Sequence, residues 1–409
     1  MPLGILIAIW SVSAIVSLPG LAISPILGDL DRIFPKAGDL EIQMLGVLPS
    51  LLIIPFVLLA GKLSVSRSKL RILYGGLGLF FVSGLACLPV RSMAMLIALN
   101  CALGIGAGMV IPLSKGMIAD YFTGKYRVKQ LGISSSISNV TMVLATSLTG
   151  WLATIDWHYP FLVYLLPGVS LLLTLSLRKY RQPASPDTPP EAGTKAGAAQ
   201  PESPTGAPHG PIRGIDLWRL AGLMLLYFFA TYAIVTVPIE LPFLMQHYGM
   251  DSSVSGLVIS LFFLAIMLPG FFIDRILGRW KERTIFGSVG LIAAGLALVF
   301  LSGSKPAIIS GCFATGFGYG IIQPLVYNKA VVTAVPAKAT LALALVMSVN
   351  YLAILLCPFI VDLFALIFDA LKSSRFPFLL NAVLAAVVAF YGYRRRNRFA
   401  FGYVGDELK

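Results

Sequence analysis

Glu240 sits in Thr236-Val-Pro238-Ile-Glu240-Leu-Pro242-Phe, an apolar run with a proline two residues to either side. Prolines so placed remove backbone donors and can free carbonyls from a helical ladder. A carboxyl held there can take up and release a proton as its exposure changes, which is the chemistry of proton or cation coupling. The plainer reading is a carboxylate at a water boundary. Amides offer a second kind of chemistry. Asn139 and Asn350, with Asn100, Gln323, Asn328 and Asn381, interrupt long apolar stretches. An amide in such a place either lines a ligand cavity or ties neighbouring helices together. Lys115 stands five residues before Asp120, so its stem reads as reaching back to an aqueous boundary; Asp362 reads as interfacial. Enzymatic chemistry has little to draw on. His158, His209 and His247 stand far apart, and Cys87, Cys101, Cys312 and Cys357 lie in apolar runs with no CxxC pair. No metal-ligand spacing and no nucleophile–base pair is present, so neither an enzyme nor a cofactor is expected.

The elements that must position these groups follow from composition. The 409 residues are 57% hydrophobic and 12% charged, with a mean hydropathy of +0.86, whereas soluble chains carry about 25% charged residues. Apolar runs long enough to cross a hydrocarbon core of about 30 Å recur along the chain. They are read at 3–27, 42–61, 71–90, 93–117, 131–153 and 159–177, then at 217–242, 252–273, 284–303, 306–328, 338–363 and 376–393. The expected fold is all-α and membrane-embedded, with twelve transmembrane helices in two six-helix bundles. The first bundle takes residues 1–181 and the second 213–396, with a tail at 397–409. Residues 182–212 hold eight prolines among Gly, Ala, Ser and Thr, a composition that builds no core and reads as a disordered linker.

A net charge of +13 raises the question of nucleic acid, and its distribution answers it. Lys62, Arg67, Lys69, Arg71, Lys125, Arg127, Lys129, Arg275, Arg279, Lys281, Arg283 and Arg394 to Arg396 all fall at alternate helix ends. That asymmetry places both termini and the basic loops in the cytoplasm, with membrane lipid rather than nucleic acid as the surrounding partner.

The chain also repeats itself at an offset of about 212 residues. Arg71-Ile-Leu-Tyr-Gly75-Gly-Leu-Gly78 overlays Arg283-Thr-Ile-Phe-Gly287-Ser-Val-Gly290, and Gly104-Ile-Gly106-Ala-Gly108-Met-Val-Ile-Pro112 overlays Gly316-Phe-Gly318-Tyr-Gly320-Ile-Ile-Gln-Pro324. With small shifts, Pro25 matches Pro238 and Asn139 matches Asn350. Two parallel repeats about an axis along the membrane normal put a central cavity between them, where access can alternate. The glycines read as close helix packing, and Pro25, Pro112, Pro238 and Pro324 as bending points for helices that rock.

Twelve spans, a central linker and this repeat resemble the major facilitator superfamily of secondary transporters, along nearly the whole chain. Its loop after helix two has a pattern close to G-x-x-x-D-R-x-G-R. The second half here reads Gly270-Phe-Phe-Ile-Asp274-Arg275-Ile-Leu-Gly278-Arg279, and the first reads Gly61-Lys62-Leu-Ser-Val65-Ser66-Arg67, with Val65 where the acid belongs. Ala119-Asp120-Tyr-Phe-Thr-Gly124-Lys125-Tyr-Arg127 is similar to the loop between helices four and five of bacterial drug and metabolite facilitators. The resemblance implies gating ion pairs at these loops, Asp274 with Arg275 and Asp120 with Arg127. Of the Gly-Pro-x-x-Gly-Gly stretch found in many proton-coupled exporters, Ala145-Thr-Ser-Leu-Thr149-Gly150 keeps only the last glycine. The expected function is alternating-access transport of a small molecule by a monomer in the bacterial inner membrane. Proton-driven export of an amphipathic or weakly cationic compound leads, because no arginine lies mid-span to hold a phosphate or dicarboxylate. An uptake facilitator or symporter, and a non-transporting receptor on the same scaffold, are the alternatives.

Overall fold

Hydrocarbon offers the backbone no hydrogen-bond partners, so apolar runs of this length close their own bonds as helices. The computed structural model describes residues 3–19, 34, 39–66, 68–153, 155–175, 214–248, 252–301, 303–367, 375–396 and 398–402. Pro25, Arg67 and the linker 182–212 lie outside the described residues. The helices are α1 Leu3–Ile15, α2 Asp39–Ser66, α3 Lys69–Ala86, α4 Met93–Tyr121, α5 Gly124–Ala153 and α6 Leu166–Leu175, the last preceded by a 3₁₀ segment Tyr159–Leu165. The second set is α7 Leu217–His247, α8 Ser252–Trp280, α9 Thr284–Leu301, α10 Lys305–Val332, α11 Ala339–Ile367 and α12 Phe376–Arg394. By length and apolarity nine stretches among the described residues can cross a membrane, one of which, Leu257–Leu301, runs through both α8 and α9; Leu6–Ile15 and Tyr159–Leu175 are shorter apolar helices.

Several spans differ from those read off the sequence. The first helix ends at Ile15, four residues before Pro19, rather than running to 27; the residue before a proline is disfavoured in helical geometry. The sixth begins as a 3₁₀ segment because Pro167 lacks a backbone donor where a longer α-helix starting at Tyr159 would need one. Prolines 238 and 242 do not open α7, which stays α-helical from Leu217 to His247. Asp274, Arg275 and Arg279 belong to the last turns of α8 and not to a loop, since that helix continues to Trp280. The connection from α4 to α5 is so short that Gly124 adopts φ 54°, a conformation that suits glycine.

With lipid on the outside, helices associate by close packing rather than by escape from water. The two glycine triplets do this in corresponding ways. A Cβ on Gly104 or Gly108 would collide with the α2 backbone at Pro49 or Ile53, and one on Gly106 with α3 at Phe80. Gly316 and Gly320 lie as close to α8 at Phe262 and Ile266, and Gly318 to α9 at Ser288. Asp216 caps α7, its carboxylate accepting from the Arg219 amide at 3.1 Å.

Part of the expected tail is folded onto the second half. The buried Lys329 donates to the Phe399 carbonyl at 2.6 Å and lies 4.7 Å from the Phe399 ring centroid. Phe401 is buried against Gly392.

Candidate functional site between the two halves

Helices of opposite halves meet as α2 on α11 and α5 on α8, with α4 and α5 also reaching α11 and α10 respectively. Their tightest contacts lie toward the helix ends that carry the basic residues, hereafter the basic end. Gly61 on α2 is so close to Ala344 on α11 that an added Cβ would overlap its methyl. Gly132 on α5 and Gly270 on α8 touch through their backbones, and the Ser136 hydroxyl donates to the Met267 carbonyl at 2.6 Å beside them. Gly116 on α4 rests on Thr340 of α11. By the repeat, Gly61 corresponds to Gly270 and Gly132 to Ala344, so these are two copies of one contact.

The charged groups here pair differently from the expected gating pairs. Asp120 does not meet Arg127. Lys69, at the start of α3, takes both oxygens of Asp120 at 2.7 Å. Arg127 Nε instead donates to Asn328 Oδ1 on α10 of the other half, at 2.7 Å. Asp274 lies 3.9 Å from Lys129 of the first half, an exposed pair. A helix places Asp274 and Arg275, as sequence neighbours, on different sides, so the two do not pair with one another. The Asp156 carboxyl, at the opposite end of α5, is held below the usual carboxylate range by bonds from the His158 amide and ring.

Above this closure Lys115 is 3% exposed, so its expected reach to an aqueous boundary is corrected. Its ammonium donates to Ser134 Oγ on α5 at 2.5 Å. Ser134 donates to Ser13 on α1 at 2.7 Å, and Ser13 donates to the Ile9 carbonyl at 3.1 Å, with Ser114 3.0 Å away. Across the boundary, the Tyr327 ring centroid of α10 is 5.9 Å from Nζ.

Tyr327 belongs to a polar cluster of the second half. Its hydroxyl is 2.9 Å from that of Tyr227, which is 3.1 Å from that of Tyr319. Tyr319 and Thr231 each reach Asn350 Oδ1 at 3.0 Å, and Gln323 Nε2 reaches the hydroxyls of Tyr227 and Tyr327 at 3.4 and 3.3 Å. The rings of Tyr227 and Tyr319 are stacked, 6.1 Å apart. Asn350 and Gln323 thus join one network, which Asn139 does not enter: it bonds to Ser135 of its own helix at 2.8 Å. Asn100 is buried and bonds to Leu96. Asn381 holds α12 to α7 through Thr236 at 2.9 Å. The tyrosines escaped the sequence reading, although Tyr319, Gln323 and Tyr327 recur at every fourth position, the signature of one helix face.

Glu240 is half-buried on α7 and acts electrostatically on Tyr232 and Cys357. A separate narrow crevice lies in the second half, lined by α7, α9 and α12 residues such as Phe229, Val289 and Asn381. It is remote from the Lys115–Tyr327 boundary in the sense that none of its lining residues comes from the first half.

The family model of the Major Facilitator Superfamily matches residues 3–358 and 223–400. The chain belongs to the major facilitator superfamily. It is therefore a multi-pass membrane transporter and not an enzyme. The multidrug transporter protein MdtP of Bacillus subtilis (strain 168) is 25% identical over 372 residues, covering 86% of this chain and 68% of that protein. The uncharacterized MFS-type transporter YceJ of the same organism is 27% identical, covering 81% and 82%. Among solved structures, the fold is similar to the human organic anion transporter MFSD10 (TM-score 0.68, 15% identity, 95% and 96% covered) and to the proton:xylose symporter XylE (TM-score 0.69, 14% identity, 99% and 98% covered). Between the two halves, Lys115 and the tyrosine cluster face one another.

Proposed function

We propose that the protein exports amphipathic small molecules across the bacterial inner membrane, as a monomer with its basic end in the cytoplasm, driven by the proton gradient. The observation that carries this reading is the paired contact of Gly61 with Ala344 and Gly132 with Gly270, which joins the halves near the basic end. A joint whose closest approaches are glycine-sized contacts and a few polar bonds can part and re-form, as alternating access requires. Asn328 Nδ2 and Thr340 Oγ1 are buried there without a hydrogen-bond partner among the described residues. Each costs about 1–3 kcal/mol while dry, so opening to water offsets part of the packing energy that parting the halves gives up. The relatives named as multidrug transporters support export and a broad, apolar substrate class. The buried Lys115 disfavours the weakly cationic option, because a second positive charge beside it is repelled at low dielectric. Glu240 remains the proposed proton carrier.

The test is accumulation of a panel of lipophilic acids, neutral compounds and cations in cells lacking their major exporters, for wild type and Glu240→Gln, with and without a proton gradient. Lower accumulation that needs both the gradient and Glu240 is expected. Gradient-driven uptake would establish an importer instead, and flux indifferent to Glu240 would remove it from coupling.

A further inference from the structure

Lys115 is a charge-bearing side chain taken out of water with no opposite charge beside it. The ion pairs formed among the described residues use Lys69, Lys129, His158 and Arg219, and none brings a carboxylate within 4 Å of Lys115. An ammonium has three N–H donors. One goes to Ser134, and the other two have no protein acceptor within hydrogen-bond distance among the described residues. Burial of a cation in that condition is costly, and such groups in membrane proteins are paired or functional.

The surroundings fix the position of the Lys115 amino group. Protons run in one direction from Lys115 to Ser134, to Ser13 and to the Ile9 carbonyl. Ser138 Oγ, bonded to the Ser13 and Ser134 carbonyls, fixes α5 against α1 at the same level. Every hydroxyl of the series thus points its oxygen toward the positive charge, and the stem cannot swing away without breaking the series. On its other flank Lys115 faces the aromatic cluster, Tyr327 with Tyr227 and Tyr319. The next residue, Gly116, abuts Thr340 of the other half, so any parting of α4 from α10 and α11 uncovers the ammonium.

We propose that Lys115 is the binding site for the carboxylate of an aromatic or amphipathic acid, with the Tyr327 ring against its apolar body. This rests on the transport reading given above and names the substrate class of that path. The anion supplies the missing countercharge and accepts the two remaining N–H donors. The rings supply the flat apolar wall that a simple inorganic anion does not need.

The experiment uses the full-length protein in detergent and in proteoliposomes, with three probes: 2-naphthoate, its neutral amide 2-naphthamide, and acetate. Thermal stabilisation in detergent reports binding. Wild type is expected to be stabilised by naphthoate at a concentration at least about tenfold lower than by naphthamide, and not by acetate. Lys115→Met, which keeps the length and apolar volume of the stem, is expected to lose the preference for the acid while still responding to the amide; Lys115→Arg is expected to retain it. Equal stabilisation of wild type by acid and amide, or by none of the probes, overturns the proposal, as does an undiminished acid preference in Lys115→Met. Acetate matching naphthoate also overturns it, by marking a site for any small anion. Flux of naphthoate in proteoliposomes separates the two readings. Lys115-dependent binding without flux leaves this site standing and sinks export of such acids, and flux with Lys115-independent binding does the reverse.

Discussion

Arg127 Nε donates to Asn328 Oδ1 across the boundary between the two halves, at 2.7 Å. Asn328 is fully buried on α10 and Arg127 half-exposed on α5, so the bond reaches from the aqueous rim into the joint. Hydrogen bonds to charged groups contribute about 1.5–3 kcal/mol when shielded. With one partner in water, about 1 kcal/mol is the appropriate scale.

Removing it with Asn328→Ala is therefore expected to shift the conformational balance about fivefold toward an open basic end. The measurement is alkylation of Thr340→Cys in a background lacking the four native cysteines. Thr340 is buried against Gly116, so its reactivity reports opening. An unchanged alkylation rate would show that the bond is formed only incidentally.

Gly270→Ala places a methyl against Ser136 Oγ and the Gly132 carbonyl. A side-chain hydroxyl can turn aside but a helix backbone cannot, so the closed joint should be excluded. Export is expected to fall by about tenfold or more. Cross-linking of Lys129→Cys to Asp274→Cys by a bifunctional thiol reagent, at positions whose native side-chain tips lie 3.9 Å apart, should slow in parallel. Gly278→Ala, on the same helix with nothing within 4 Å of its added Cβ, is the control and should leave both rates alone.

The Lys69–Asp120 pair is mostly buried, with side-chain exposures of 14% and 24%, and it lies within one half. Asp120→Asn is expected to destabilise the protein by about 1–3 kcal/mol, mainly through the cation it leaves behind. Lys69→Met with Asp120→Asn should recover much of that loss in the same thermal melt. If the double variant is as unstable as the sum of its parts, the pair acts through something other than charge.

Tyr227 stands between Tyr319 and Tyr327, with a hydroxyl within 3.1 Å of both. Tyr227→Phe deletes the shared oxygen while keeping the stacked ring, and is expected to cost about 1–2 kcal/mol in thermal unfolding. Because the network borders the proposed substrate path, Tyr227→Phe should also change relative flux among aromatic substrates. A change in stability with an unaltered flux ranking would confine the cluster to a structural role.

Spans, repeat and glycine contacts were legible because each is written in local pattern. About twenty apolar residues make a helix whatever surrounds them, and Gly104 and Gly316 betray their shared place by position alone. Helix ends were less legible. α8 continues through Asp274, Arg275 and Arg279 because charged residues make acceptable helix, so charge does not mark a boundary. The polar site was hardest to see. Lys115 finds Ser134, which lies 19 residues on, and that serine finds Ser13, 121 residues away. Arg127 and Asn328 are separated by 201 positions. Nothing in the spacing of Lys115 from Asp120 says that one stays buried while the other meets Lys69, since that depends on which helix lies opposite each face.

The bond between Lys329 and Phe399 spans 70 residues, and it bears on how the protein is made. At about 5–20 residues per second, a ribosome adds Phe399 roughly 4–14 s after Lys329. For that interval α10 is already synthesised while the carbonyl that receives its ammonium is not. Translation well beyond α10 therefore contributes a structural partner to the middle of the second half. Folding of that half into its final form must wait until Phe399 has left the ribosome.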